Sequence, residues 1–467
     1  MAYRSLAWSP LLLGLLLVAC DDTRAHGRPD LDFVVDVDMA PPPATPCGLS
    51  GATRLLSTLD GQHAYPRIAS NGVGYVVAWV SYLAGTPATY RIDAAITDLL
   101  GDALGPNLPM SAQAVATADP PSVAPISNGT SVAWTRASST GTDLVLTTLD
   151  VTGQKLDANG AACDPADDNC SIFPMTTSGT ASAPFLDRPF GDKTISGATE
   201  NQLSVAFLDT RNYPCAMAPC SDFNDVFWKR VQSNGTELIH EKQLTVTGLS
   251  RYASPGLAFD GVHEGIDWQE NVAAMTSNLF FATLDDFGNF TSTLQLLGSV
   301  SGTSAPSTPD LLWAAGGYAL ASATGTAATA SVLFQRQNAN GTASLPPTYV
   351  TFEGTDCAPA IAFDGTNYAI AYQLGCGTVA SAIAFIRIAP DGTRLKLDGT
   401  SCGPSAAPDC GRLYIATPGA NGGAARPQMV LGNDGAFTVV WMQGLASTPG
   451  TNSTSPLEVY LQRVTCN

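Results

Sequence analysis

The sequence predicts an all-β fold: a single seven-bladed β-propeller of four-stranded blades, closed by an N-terminal strand that joins the last blade. Three observations carry this. A unit of Pro, short apolar strand, Asp-Gly or Asn-Gly turn, strand with an aromatic, loop and further strand recurs along the chain and is clearest over 358–395. A repeated β-unit of this kind marks a propeller or a solenoid. The opening prolines, at 66, 121, 184, 255, 309, 359 and 427, are spaced by 55, 63, 71, 54, 50 and 68 residues. Such variation suits loops inserted on a constant blade, whereas solenoid coils stack at nearly fixed length. Finally, only 13% of residues are charged, against 45% hydrophobic, with 44 Gly and 32 Pro. That is the balance of many short strands joined by tight turns.

Taken in order, residues 1–19 read as an export signal. Arg4 supplies the positive charge, and 11–18 form an apolar core too short to span a bilayer. The run Leu17-Val18-Ala19-Cys20 resembles a bacterial lipoprotein signal. The resemblance implies that Cys20 is diacylated and begins the mature chain, so the protein is expected to be exported and lipid-anchored at the outer membrane or cell surface. Residues 20–46 then form an acidic, Pro-rich tether without periodicity. Its Asp30, Asp32, Asp36 and Asp38 lack the Gly turn and terminal Glu of a calcium loop and read as a solvated arm.

The propeller is expected over 47–467. Repeat one runs from Tyr65 through Asn71-Gly72 and Trp79 to 91–99. Trp134, Phe207, Trp268, Tyr372 and Trp441 mark the same place in repeats two, three, four, six and seven, and repeat five is the most degenerate. Each Pro is expected at the first position of its strand, where no ladder donor is needed. Each aromatic is expected to end the second strand as a blade-to-blade packing residue. Fourth strands are expected at, for example, 237–247 and 289–297. The seventh repeat stops at Asn467 after its third strand, and 49–59 can supply the missing fourth, which leaves no open edge.

Eleven cysteines are present; with Cys20 assigned to lipid, ten remain. No Cys-x-x-Cys occurs and no His lies near a Cys pair at zinc-finger spacing, so disulfides rather than metal are expected. Cys47–Cys466 would lock the closure. Cys163–Cys170 and Cys402–Cys410 each follow a Leu-Asp step and a Gly after a third strand, as equivalent insertions. Cys215–Cys220 falls in a loop of repeat three, and Cys357–Cys376 spans the first two strands of repeat six.

Repeat three resembles a repeat of secreted bacterial β-propellers through Phe207, Asp209, Arg211, Asp225, Val226, Phe227, Arg230, Val231, Asn234 and Gly235; repeat seven keeps Val459-Tyr460 and Arg463-Val464. The resemblance implies architecture rather than activity, with Asp209, Arg211 and Asp225 as an ion-pair network within one blade.

A formal net charge of −18 and the absence of any Lys/Arg run exclude nucleic acid as a partner. The four His, at 26, 63, 240 and 263, accompany no nucleophile elbow, zinc or phosphate-loop motif, and no cofactor or metal is expected. Propellers bind at the channel mouth, and the residues just before the opening prolines would ring it: His63, Tyr65, Asp119, Arg251, Tyr252, Asp356 and Arg426. Acids, bases and aromatics together suit a protein or glycan ligand. The expected function is therefore a monomeric, membrane-tethered, non-enzymatic binding module. The alternatives are a propeller glycosidase or lyase, with Asp119 and Asp356 as its carboxylates, and a purely structural envelope protein.

Overall fold

A computed structural model describes residues 46–466, apart from 60, 84–88, 112–118, 140, 165–169, 188–200, 213–222, 246–250, 274–275, 302–308, 326–329, 377, 379, 404–405, 419–421 and 445–456. The signal, Cys20, the tether and the expected Cys215–Cys220 pair lie outside the described residues.

Seven antiparallel sheets follow one another along the chain. Their first strands are Gln62–Ser70, Ser122–Ile126, Ala181–Asp187, Arg251–Phe259, Asp310–Ala314, Asp356–Phe363 and Gly423–Leu431. Each first strand packs on the first strand of the next blade, and the seventh packs on the first. That closed circuit of contacts makes the array a ring, with the first strands around its channel, and it confirms the seven-bladed propeller.

The core is divided among the seams between blades. Second strands such as Gly74–Leu83 and Gln202–Asp209 are buried almost throughout, because both faces of a blade are covered by its neighbours. Trp79, Trp134, Phe207, Trp268, Tyr372 and Trp441 are all essentially inaccessible and anchor these seams; burial of each side chain stabilises by roughly 2–3 kcal/mol. Tyrosines near the start of second strands tie blades together. Tyr318 Oη donates to His263 O (3.1 Å) and Tyr368 Oη to Ala314 O (2.9 Å), each in the preceding blade.

The prolines and aromatics are placed differently from expectation, and for one reason. In five blades the Pro lies inside the first strand, at a β-bulge. In blade 1, Ala64 pairs with Val80 and Arg67 with Ala78, so Tyr65 and Pro66 together face Trp79. The same shift sets Ala183-Pro184 opposite Phe207, Ser254-Pro255 opposite Trp268, Ala358-Pro359 opposite Tyr372 and Arg426-Pro427 opposite Trp441. The aromatics therefore sit within their strands rather than at the ends. In each case the residue before Pro is left-handed, with φ of 56° at Tyr65, 48° at Ala183, 51° at Ser254, 48° at Ala358 and 53° at Arg426. A side chain in that region costs about 1–2 kcal/mol, and Pro suits the bulge because it has no N–H to leave unpaired.

The closure is as expected. Gly48–Leu55 pairs antiparallel with Leu457–Thr465 as the outer strand of blade 7, from Gly48↔Thr465 to Leu55↔Tyr460, and Cys47 is bonded to Cys466 with Cα atoms 4.1 Å apart. The strand stops at Leu55 rather than 59, because the chain beyond it turns to side-chain anchors: Asn107 Nδ2 donates to Leu56 O (2.9 Å) and Thr58 N to Asn107 Oδ1 (2.7 Å).

Three further disulfides are present: Cys163–Cys170, Cys357–Cys376 and Cys402–Cys410. The first and third form the expected equivalent insertions. In blade 2, Lys155–Leu156 and Phe173–Pro174 pair with the same third strand on either side of the disulfide loop. Arg394–Leu395 and Leu413–Ala416 do likewise in blade 6. Four disulfides are consistent with an exported protein.

Candidate functional site

The bulges re-aim the first strands at one end of the channel. Tyr65 and Arg426 stand on the two bulges that meet at the seam between blades 1 and 7, and the Arg426 guanidinium lies 4.7 Å from the centre of the Tyr65 ring. Behind Tyr65, Tyr82 is buried and hydrogen-bonded to it, and meets Tyr90 edge-on with ring centres 4.9 Å apart. Arg426 itself is exposed. The seam is therefore a cluster of tyrosines with a cation over the Tyr65 ring.

Arg67 follows Pro66 and extends the site inward. Its field is coupled to Arg426 and to Asp310, which belongs to the first strand of blade 5. Blades 1 and 5 are not neighbours, so these charges act on one another across the channel. Burial lowers the Arg67 pKa to about 10, with Asp310 opposing and Arg426 reinforcing the fall. Burial likewise raises Asp310 to about 6, against the pull of Arg67 and of the Ile361 N–H, which donates to Asp310 Oδ2 at 2.7 Å.

A second acid, Asp267, stands on the next strand of blade 4 opposite Gly256. A Cβ on Gly256 would lie 2.2 Å from Asp267 Oδ1, so the absence of a side chain there is what lets this carboxyl rest against the first strand. Burial, and then the neighbouring Asp310, push its pKa well up. The channel thus holds two carboxyls biased towards their neutral forms and an arginine, with a second arginine at the mouth. Sequence reading missed Arg67, Tyr82, Asp267 and Asp310, because it looked only before each Pro and along one repeat at a time. The glycine directly after Pro255 was the available signal.

The other expected mouth residues are distributed differently. His63 is buried: Nε2–H donates to Leu59 O (2.9 Å), since a carbonyl only accepts, and Nδ1 then accepts from Trp79 Nε1 (3.2 Å). Ser81 Oγ, 2.9 Å from Nδ1, donates to Asp93 Oδ2 (2.5 Å), and Arg91 grips Asp93 through two nitrogens. The serine proton is committed to the carboxylate rather than to the imidazole, so this chain of groups is a seam lock and not a nucleophile relay. Tyr252 is buried among Trp228, Leu257 and Trp268. Asp356 is buried and its pKa raised by burial. Asp119 is half-buried and accepts from Thr135 Oγ1 (3.1 Å) and Ala183 N (3.4 Å). Arg251 is exposed at the start of its strand. Of the seven, the structure brings Tyr65 and Arg426 into direct contact.

In blade 3, Arg211 pairs with Asp209 (2.5 Å) and with Glu241, and its guanidinium lies 4.6 Å over Phe227. Asp225 joins through Asn212, Gln243 and Thr245. This is the within-blade network that the repeat resemblance implies. Among the described residues no group of three or more His, Cys, Asp or Glu could hold a metal ion.

No protein-family model and no curated protein matches the sequence. Solved structures do resemble it. The polysaccharide lyase Uly1 aligns with a TM-score of 0.50 at 12% identity, over 86% of this chain and 90% of that one. A protein of unknown function from Dyadobacter fermentans aligns at 0.42 and 11%, over 91% and 99%. An α-L-arabinofuranosidase from Lactobacillus brevis aligns at 0.33 and 11%, over 56% and 86%. At these identities the likeness is one of fold. The fold and its channel define a seven-bladed β-propeller with a charged, tyrosine-flanked axial site.

Proposed function

We propose that the propeller is a binding module for an acidic glycan, seated at the channel mouth on the seam of blades 1 and 7. The observation that carries this is the proximity of Arg426 and Arg67 in a chain of net charge −18. Two arginines repel each other, and their one described opposing carboxyl, Asp310, is itself half-neutralised near pH 6. An anionic ligand group bridging them relieves that repulsion through charge-assisted hydrogen bonds, while the half-buried Tyr90 offers apolar surface to a sugar ring. Lipidation at Cys20 would hold the module at a bacterial membrane, with residues 21–46 as its tether.

Calorimetry with a uronic-acid oligosaccharide and its neutral counterpart tests this. The acidic ligand should bind better, and Arg426→Ala should weaken it about ten- to hundredfold, the range of a hydrogen bond to a charged group. Equal binding of both sugars, or binding indifferent to Arg426→Ala, refutes it.

The Asp267–Asp310 pair favours a second reading, polysaccharide cleavage. A carboxyl near pKa 6 can exchange protons at neutral pH, and Arg67 could hold the substrate anion beside it. Incubation with an acidic polysaccharide should then release new chain ends, and Asp310→Asn should abolish their release. No release by the wild type discards this reading and leaves binding intact.

A further inference from the structure

The outer edges of the blades are defended against strand pairing, and blade 4 is the least defended. Outer strands present unpaired N–H and C=O groups, which proteins shield with charge, proline, bulges or brevity. Blade 1 ends in the two-residue Leu108–Pro109, and blades 2 and 6 end in short segments interrupted by disulfide loops. Blade 3 ends in Glu237–Gln243, which carries Glu237, His240, Glu241 and Lys242. Blade 5 carries Pro346 and Pro347 within Ala343–Tyr349. In blade 7 a register break and Arg54 interrupt Gly48–Leu55.

Blade 4 has only a bulge at Leu297, where Leu279 pairs with Gly298 and Phe280 with Leu296. Its outer strand, Gln295–Ser301, is seven residues long without a charge or a proline, and no described residue pairs with its outer side. It belongs to a run, 287–309, with no charged residue at all. Phe287, Phe290, Leu294 and Leu296 are each 45–58% exposed along it.

We propose that this edge is the contact between two copies of the chain, paired antiparallel through Gln295–Ser301 about a two-fold axis near Gly298. Three features select a second copy. An antiparallel strand edge is complementary to itself, so the same donors and acceptors meet across the axis. On a molecule of charge −18 two copies repel, and an uncharged edge is where they can approach. The free backbone groups also argue against burial in lipid, where they would stay unpaired. The exposed Phe and Leu side chains would then be covered on both sides of the new eight-stranded sheet.

Sedimentation of the full chain across a concentration series tests the pairing. A dimer is expected below about 100 µM, a generous limit for a specific interface. Leu296→Lys puts a charge into the uncharged apolar edge of each copy, opposite position 300 of the other strand, and should weaken dimerisation at least tenfold. Gly298→Cys provides a readout that does not depend on that variant. A Cβ there meets nothing within 4 Å, so the fold accommodates it, and the two thiols at the axis should form an inter-chain disulfide that His240→Cys on blade 3 does not. A monomer throughout the series overturns the proposal. So does a dimer that Gly298→Cys fails to cross-link, which would place the contact on another face or assign the edge to a foreign strand.

Discussion

Removing the closure disulfide should be felt through the whole ring. Cys47 and Cys466 are 419 residues apart, and a cross-link of that span restricts the unfolded chain by about 20 cal/mol/K on the loop-entropy relation, or about 6 kcal/mol at 25 °C. A propeller of about 420 residues unfolds with an entropy near 0.9 kcal/mol/K at its midpoint, so the Cys47→Ser/Cys466→Ser variant should melt about 7 °C lower. The comparison is Cys163→Ser/Cys170→Ser, which opens a loop of separation 7. The same relation gives it about 2.5 kcal/mol and about 3 °C. Differential scanning calorimetry of the two double variants and the wild type, with the remaining disulfides intact, measures both. The decisive quantity is the ratio, since errors in the unfolded-state entropy are shared. Equal shifts, or a closure variant melting within about 1 °C of wild type, would show that the termini stay together through the ladder of Gly48–Leu55 without needing the covalent tie.

Other perturbations test the channel and the bulges. Asp310 has a folded pKa near 6, above its unfolded value, so its protonated form favours folding: that contribution is complete below about pH 4 and is lost as pH rises through 6. Asp310→Asn should therefore flatten the pH dependence of stability between 4 and 6 and raise stability at pH 8 by up to about 3 kcal/mol, read by urea titration. Gly256→Ala should destabilise by about 1–3 kcal/mol through its clash with Asp267, and Asp267→Ala in the same chain should restore most of the loss. Ala358→Gly relieves a left-handed alanine and should stabilise by about 0.5–1 kcal/mol in the same titration.

The ring, its closure and four of the disulfides were legible because each rests on local chemistry that repeats. Pro, Gly-containing turns and one large aromatic per unit announce a blade, and the missing fourth strand of the seventh announces its donor. What was not legible depends on shape at the scale of the ring. The left-handed bulge at Tyr65-Pro66 looks in sequence like an ordinary strand start, since nothing local says that two residues will face Trp79. Nor does any motif join Arg67 to Asp310, which lie 243 positions apart and act on each other only because blades 1 and 5 face each other across the axis. His63 shows the converse: its position pointed to the mouth, but the carbonyl of Leu59 and the indole of Trp79 gave it a fully buried set of partners.

The borrowed outer strand of blade 7 also sets the order of events in biogenesis. Residues 48–55 have no partner until 457–465 have been made. A chain that is threaded across a membrane unfolded can hold that segment open without penalty. One that folded as it was synthesised would carry an unpaired strand through the synthesis of about 400 further residues. Oxidation of Cys47 with Cys466 has to wait until both strands of that pair are present, and it then ties them together covalently.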